Sequence, residues 1–317
     1  MILGANASSS APTQPAPAAP TPVAAPAPAP APAGPPPILP LDQALAGAAA
    51  AVFNNAALAG DRLPLVIDPL IDGSTWVQSV ATRQMEDAVL KTVKERFPRF
   101  EPLPFSTTSL ARGPYVFIGT FTPLDSEGKN LGPTDWYRIC LALLDIRSGK
   151  IVSKGFARAA AAGVDHTPLP FFQDSPGWSK DSASTGYVST CQGTKAGDPI
   201  NPAYWDRIAA AAVINDAINA YQDNRLADAL DLYRAALQMP GGKQLRVYNG
   251  IYLAQSRLNR RKEAAERLER WLGSLHAAEL DSATLINNAG VIPRIGPLDQ
   301  CPPDQLANAL RVGLEAP

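Results

Sequence analysis

The chain has 317 residues, with 28 basic and 29 acidic side chains, a net charge of −1 and 32 prolines. This balance does not provide the basic surface that binding to a phosphate backbone requires, so a nucleic-acid partner is not expected. No apolar run approaches the ~20 residues of a membrane-spanning helix, so no membrane span is expected either.

Residues 1–41 form a segment rich in proline and alanine. Proline removes backbone N–H donors and fixes φ, so residues 8–40 are not expected to join a sheet or a regular helix. The expected conformation is polyproline II, which would make the segment a semi-rigid spacer or an untethered disordered tail. Residues 1–7 lack the basic and apolar regions of a signal peptide, so no export signal is expected in this sequence.

Residues 42–200 are predicted to form an α+β domain in which a helix packs on a small mixed sheet. We expect an alanine-rich helix over 42–58, a buried strand over 63–70, and an amphipathic helix that begins with Ser74 as its N-cap. Further strands are predicted over 100–105, 114–121, 136–146 and 151–159, with the last two forming a hairpin. A long irregular loop is expected over 160–200.

A polar turn follows the strand predicted at 63–70. Its carboxylates and hydroxyls, at Asp68, Asp72, Ser74 and Thr75, would suit phosphate or a metal ion at the start of a helix. A strand end, an Asp-Gly turn and a helix cap explain the same residues, and this second interpretation is favoured.

The sequence contains two histidines, His166 and His276. Neither lies in a cluster of cysteines or paired carboxylates, so both are expected to be ordinary loop or surface residues. No catalytic residue, metal site or cofactor is predicted.

Two cysteines, Cys140 in a predicted strand and Cys191 in the long loop, are candidates for a disulfide. In an oxidising compartment the bond would close a loop of about 50 residues and stabilise the fold by ~4 kcal/mol in the chain-entropy account. Two unlinked thiols are the alternative, and the sequence leaves both open.

Residues 201–275 change in character to amphipathic helices with short breaks. Helices are predicted over 209–222 and 245–258, and each is followed by a similar block, at 224–233 and 259–268. The blocks lie about 35 residues apart, so the region resembles the tetratricopeptide repeat, whose period is ~34 residues. The resemblance implies all-α helical hairpins that present a groove to a protein or peptide partner.

The residues expected to face that groove lie on the first helix of each pair. They are polar or aromatic where the opposite face is apolar. The alternative for the two tyrosines is a place in the core. The partner-binding candidates are Asn215, Asn219, Tyr248, Asn249 and Tyr252.

Residues 62–200 resemble the N-terminal module of a group of bacterial envelope proteins, which are lipoprotein-like or attached to OmpA-type domains. The segments that carry the resemblance are 65–73, 76–79, 137–143, 152–159 and 190–194. It implies a non-enzymatic, partner-binding protein in the periplasm or at the outer membrane.

Residues 276–317 resemble a different family. An apolar strand is predicted at 283–286, followed by Asn287, Asn288, Ala289 and Gly290. These four residues resemble the Asn-Asn-Ala-Gly motif that lines the cofactor crevice of short-chain dehydrogenases. The chain has neither the glycine-rich phosphate loop nor the Tyr-x-x-x-Lys pair of that family. The expected function is therefore an interaction scaffold, and the alternative is an NAD(P)-dependent oxidoreductase fragment or fusion that is inactive as written.

Overall fold

The computed structural model describes residues 35–130, 133–176 and 181–258. The strands in these ranges are β1 Ile38–Leu39, β2 Leu63–Ile67, β3 Ile71–Asp72, β4 Phe100–Leu103, β5 Tyr115–Leu124, β6 Trp136–Asp145 and β7 Lys150–Ala160. The helices are α1 Leu41–Asn54, α2 Val80–Arg96, α3 Thr107–Leu110, α4 Pro170–Asp174, α5 Ser182–Gln192, α6 Pro202–Trp205, α7 Ile208–Gln222, α8 Leu226–Leu237 and α9 Leu245–Arg257.

The strands form one mixed sheet in the order β1-β7-β6-β5-β2-β4. Strands β5, β6 and β7 are antiparallel neighbours, whereas β2 runs parallel to both β4 and β5. The short strand β3 also runs parallel to β5 and continues the line of β2 after a break. The expectation of a mixed sheet with packed helices is confirmed.

Alternation along the central strands divides the core between the two faces of the sheet. On β5, Phe117 and Phe121 point to the face covered by α1 and α2. Val116 and Ile118 point to the opposite face, which is covered by α3, α5, α6 and α7. Both faces are buried, so the strands are apolar on both sides and the sheet is the middle of three layers.

The helices after residue 201 pack on the sheet. Ala211 and Ala212 of α7 belong to the core on the second face of the sheet. The opposite side of α7 packs with α4, α8 and α9 around Phe171 and Tyr233. Residues on either side of the boundary predicted at 200 therefore share one core.

Helices α7 and α8 form a hairpin that turns at Asn224, as the repeat pattern predicts. Asn224 has φ of 60°, a left-handed conformation that asparagine tolerates at the end of a helix. The residues predicted as the last repeat helix, 259–268, lie outside the described part of the chain. The assignment of an all-α tetratricopeptide-like region therefore stays a prediction.

The prediction that residues up to 40 join no sheet is wrong at Ile38 and Leu39. These two residues form β1, which pairs in parallel with Arg158 and Ala159 of β7. Neither is proline, so each retains the N–H that a ladder requires, and β1 lies at the edge of the sheet. The proline-rich residues 1–34 lie outside the described residues.

The predicted start of the second helix at Ser74 is also wrong. Ser79 is the N-cap of α2, and it exchanges hydrogen bonds with Thr82 in a capping box. Ser74 instead belongs to a turn in which its N–H and that of Thr75 donate to Asp72 Oδ1 at 2.7 and 2.9 Å. The aspartate makes the turn more favourable than an earlier helix start.

The expectation of an irregular loop over 160–200 is corrected by two helices, α4 and α5. The sequence of α5 is rich in serine, threonine and glycine, which have modest intrinsic helix propensity. The helix is capped by Asp181, whose Oδ1 accepts the Ser184 N–H at 2.7 Å, and it buries Tyr187 and Cys191 against the sheet. Tertiary packing therefore overrides local preference here.

A break between β2 and β3 leaves backbone groups that need partners inside the core. The Tyr187 hydroxyl accepts the Gly119 N–H at 2.9 Å and lies 3.0 Å from the Pro69 carbonyl, to which it can donate. Glu86 Oε1 accepts the Leu70 N–H at 2.8 Å. Side chains of α5 and α2 thus supply hydrogen bonds that a continuous strand would have made.

A disulfide joins Cys140 of β6 to Cys191 at the end of α5, with Cα atoms 6.1 Å apart. Both residues are fully buried. The bond ties α5 to the middle of the sheet across 51 residues of chain. Together with Tyr187, it fixes a helix that has little intrinsic tendency to form.

We predict that Tyr187→Phe lowers the free energy of unfolding by about 1–3 kcal/mol, because the Gly119 N–H is left buried without an acceptor. The matched control is Tyr115→Phe, whose hydroxyl accepts a hydrogen bond from the exposed Arg147 side chain at 3.2 Å. Urea denaturation measures both. Equal losses for the two variants would contradict the role given to Tyr187.

We predict that reduction releases two thiols per denatured chain and lowers the free energy of unfolding by up to ~4 kcal/mol. The double variant Cys140→Ala/Cys191→Ala should unfold at the same denaturant concentration with and without reductant. Thiol titration and denaturation measure the two effects. A full count of three thiols before reduction would show that the bond is absent in solution.

Candidate ligand-binding pocket

A small, partly open pocket of ≈ 30 Å³ lies between the end of β2 and helices α5, α6, α7 and α9. Its walls combine apolar and aromatic side chains with a few polar ones, which is typical of ligand sites. The polar lining consists of Asp68, Gln78, Ser184, Arg207, Asn215 and Arg246.

The pocket lies at a point where the order of the parallel strands reverses. From β2 the chain crosses to β4 on one side, and from β4 it returns to β5 on the other side of β2. The first connection, α2, packs on one face of the sheet and the second, α3, on the other face. Chain segments therefore diverge at the carboxyl ends of β2 and β5, where open α/β sheets usually bind ligands.

Asp68 directly follows β2 and forms the floor of the pocket. Its Oδ2 accepts the Tyr204 hydroxyl at 2.7 Å. Burial raises the pKa of Asp68 to about 7, against the opposing effects of the Tyr204 hydrogen bond and the charge of Arg246. Near neutral pH this carboxyl is therefore present in both protonation states.

Glu86 of α2 is a second buried carboxyl close to the strand break. Burial raises its pKa to about 7, although the charge of Arg83 and the Leu70 N–H both favour the ionised form. Arg83 Nη1 lies 3.6 Å from Glu86 Oε2. The charge of Asp68 also raises the pKa of Glu86, so the two carboxyls influence each other.

Two amide side chains of the pocket have buried oxygens without a hydrogen-bond partner among the described residues. These atoms are Gln78 Oε1 and Asn215 Oδ1. The Gln78 side chain precedes α2 and its residue is only 4% exposed, whereas Asn215 projects from α7. Both oxygens are shielded from the open part of the pocket by the surrounding atoms.

Two arginines carry the positive charge of the pocket. Arg207 Nη1 donates to the Ala203 carbonyl at 3.1 Å, and Arg246 Nε donates to Gln244 Oε1 at 2.6 Å. Within the described ranges, neither guanidinium forms an ion pair with a carboxylate. With Asp68 the only carboxyl of the lining, the pocket is positive overall and suits an anion.

Trp76 lies in the wall of the pocket and has a left-handed backbone, with φ of 58°. This conformation is unfavourable for a bulky residue and is held here by the Trp76 N–H, which donates to the Asp72 carbonyl at 2.8 Å. Strained residues of this kind cluster at binding sites. This backbone conformation accompanies an indole, 9% exposed, that lines the pocket together with Gln78.

The structure places the five predicted partner-binding residues in different environments. Asn215 lines the pocket, and Asn219, one turn further on, accepts a hydrogen bond from Arg83 Nη2 at 3.5 Å. Asn249 is 1% exposed, so the prediction that it faces a partner is corrected: it lies in the core between helices. Tyr248 is half-buried, and Tyr252 packs against the helical core.

The other polar residues considered from the sequence have structural roles. Asp72, Ser74 and Thr75 form the turn described above, and His166 is an exposed loop residue that stacks on Tyr137 and hydrogen-bonds to its hydroxyl. In the described ranges no group of three or more histidine, cysteine, aspartate or glutamate residues is placed to hold a metal ion. His276 lies outside those ranges.

Sequence reasoning selected Asn215, considered Asp68 only in the less favoured interpretation of its turn, and missed Gln78, Arg207 and Arg246. The missed residues lie on separate elements and follow no local motif. A strand end marked Asp68, and helical periodicity marked Asn215. Nothing in the linear sequence places Gln78 next to residues more than a hundred positions away.

Comparisons with protein-family models, curated proteins and solved structures found no match to this chain. The resemblances to envelope proteins, tetratricopeptide repeats and short-chain dehydrogenases therefore stay predictions. Among the helices of the described residues, none has both the length and the apolar character needed to cross a bilayer.

We predict that the free energy of unfolding falls as the pH rises from about 4 to about 7. The pKa values of Asp68 and Glu86 are raised by folding from 3.8 and 4.5 to about 7, so the folded state binds protons more tightly in this window. Each carboxyl contributes at most about 1.4 kcal/mol per pH unit. Its stabilising effect is complete below the unfolded pKa and is lost as the pH passes 7.

The variants Asp68→Asn and Glu86→Gln test this prediction, because each amide can accept the same hydrogen bond but cannot ionise. Each should reduce the slope of stability against pH, measured by urea denaturation from pH 4.5 to 8. Asp231→Asn, which removes a carboxylate whose side chain is 78% exposed, is the control. A slope unchanged in both core variants would contradict the assignment.

Proposed function

We propose that the protein is a non-enzymatic scaffold for protein–protein interaction in the bacterial cell envelope, periplasmic or associated with the outer membrane. The observation that carries the proposal is the pocket, in which the buried amide oxygens of Gln78 and Asn215 lack donors. The groups around them are aromatic rings and arginines, which are the residues most enriched at binding hot spots.

The helical region supports a role in binding partners. Helix α7 provides Asn215 and Ile218, and α9 provides Arg246, so the two helices predicted as first helices of repeats both reach the pocket. Their tetratricopeptide-like character is the finer part of the proposal. In this arrangement the partner would contact α7 and α9 together with the end of β2.

The disulfide supports a location in the cell envelope. Disulfides persist in oxidising compartments such as the periplasm and are rare in the reducing cytosol. Cys140 and Cys191 join a central strand of the sheet to the helix packed on it and are fully buried, as expected for a structural bond. The resemblance of residues 62–200 to envelope proteins points to the same compartment.

The proposal predicts that the protein binds short peptides and that the pocket variant Asn215→Leu weakens this binding about tenfold or more, since it removes an acceptor and fills the site. The measurement uses an array of random peptides attached in both orientations. The matched control is Gln222→Leu, on the same helix but outside the pocket lining.

Two results would contradict the scaffold proposal. One is the absence of binding to any peptide of the array. The other is micromolar binding of NAD(P)H measured by fluorescence, which would favour the oxidoreductase alternative. The motif behind that alternative, Asn287 to Gly290, lies outside the described residues.

A further inference from the structure

Positive and apolar side chains share one face of the sheet, away from the pocket. Phe156 of β7 pairs with Cys140, whose side chain belongs to the core on the second face, and Ile38 pairs with Arg158. Because side chains alternate along a strand, the side chains at every second position share this face. We name the group the basic sheet face, and its members are Ile38, Trp136, Arg138, Lys154, Phe156 and Arg158.

Two members of the basic sheet face are apolar and open to solvent. Phe156 is 52% exposed and Ile38 is 46% exposed. In the described part of the chain, these are the large apolar side chains that remain exposed. Both lie within one small area of β1 and β7, which marks this area as a place where the surface meets a partner.

The three cations of the basic sheet face form no ion pair in the described ranges. Arg138 and Lys154 donate at 2.6 Å to neutral oxygens of the segment 192–194. Burial lowers the pKa of Lys154 against the opposing charge of Asp198, which lies beyond ion-pair distance. With Arg158 also unpaired, the face carries a net positive charge.

Two of these cations lie directly opposite each other, Arg138 on β6 and Arg158 on β7. Like charges in this arrangement repel and destabilise a sheet. Neutral groups hold the Arg158 guanidinium in place, since it lies 4.0 Å from the Trp136 ring centroid and its Nη1 donates to the Pro36 carbonyl at 3.4 Å. An anion bound across both arginines would remove the repulsion.

A bilayer that contains anionic lipids matches the whole of this face. A free phosphate ion would pair with the guanidinium groups but leave Phe156 and Ile38 in water. A bilayer offers phosphates to the cations and, slightly deeper, hydrocarbon to the apolar side chains, and the ring of Trp136 suits the boundary between them. A peptide binds in a groove or along a strand edge, whereas these side chains stand on the flat face of three neighbouring strands.

We propose that the basic sheet face contacts the surface of a bilayer that contains anionic phospholipids. Arg138, Lys154 and Arg158 pair with headgroup phosphates, and Phe156 and Ile38 enter the headgroup region. The inference rests on the proposed location in the cell envelope and names the surface that associates with the membrane. It does not involve the pocket.

The experiment measures sedimentation of the full chain with vesicles of phosphatidylcholine alone and of equal parts phosphatidylcholine and phosphatidylglycerol. We expect binding to the anionic vesicles only, weakened by salt. The double variant Lys154→Gln/Arg158→Gln should weaken binding about tenfold or more, and Phe156→Thr about fivefold. The matched control is Lys91→Gln/Lys94→Gln, which removes the same charge from exposed positions of α2, on the opposite face of the sheet, and should bind like the wild type.

The outcomes separate this inference from the scaffold proposal. No binding to anionic vesicles, with peptide binding retained, would overturn the membrane contact and leave the scaffold. Vesicle binding without any peptide binding would support the membrane contact and contradict the scaffold. Equal binding by the double variant and its control, with unchanged melting temperatures, would overturn the assigned face. Binding to a soluble poly-glutamate peptide that is tighter than to anionic vesicles, and unchanged in Phe156→Thr, would overturn the bilayer in favour of an acidic protein partner.

Discussion

The structure depends on the hydrogen-bond partners that the chain provides for buried backbone groups left unpaired by the break between β2 and β3. Pro69 lies in this break and has no N–H, so the parallel ladder along β5 cannot continue through it. The Gly119 and Leu70 N–H groups would then be buried without acceptors. Tyr187 from α5 and Glu86 from α2 provide those acceptors from opposite faces of the sheet.

The break also explains why the pocket exists where it does. As the chain leaves the ladder after β2, Asp68 is directed toward α6 and meets the Tyr204 hydroxyl. The helices that complete the walls are fixed by other constraints, the disulfide at Cys191 for α5 and apolar packing for α7. The strained backbone of Trp76 persists because the surrounding core is closely packed.

Stability and recognition are coupled in this arrangement. The pocket at the end of the sheet is lined by Asp68, two arginines and two amides, and Glu86 of the adjoining helix α2 lies close to it. A bound ligand therefore changes the environment of groups that also stabilise the fold. Binding is therefore expected to raise the melting temperature as well as to occupy the site.

The sequence by itself determined the elements whose patterns are local. Apolar runs at 114–121 and 136–146 predicted two central strands, which the structure places at Tyr115–Leu124 and Trp136–Asp145. Helical spacing predicted α7 and α9 to within one residue. It also selected Cys140 and Cys191 as possible partners. Helix α5 and most of the pocket were not predictable, because their stability comes from contacts between distant segments. Only the tertiary structure brings Gln78, Asn215 and Arg246 together, since no pattern in the chain encodes which of its polar residues will share one cavity.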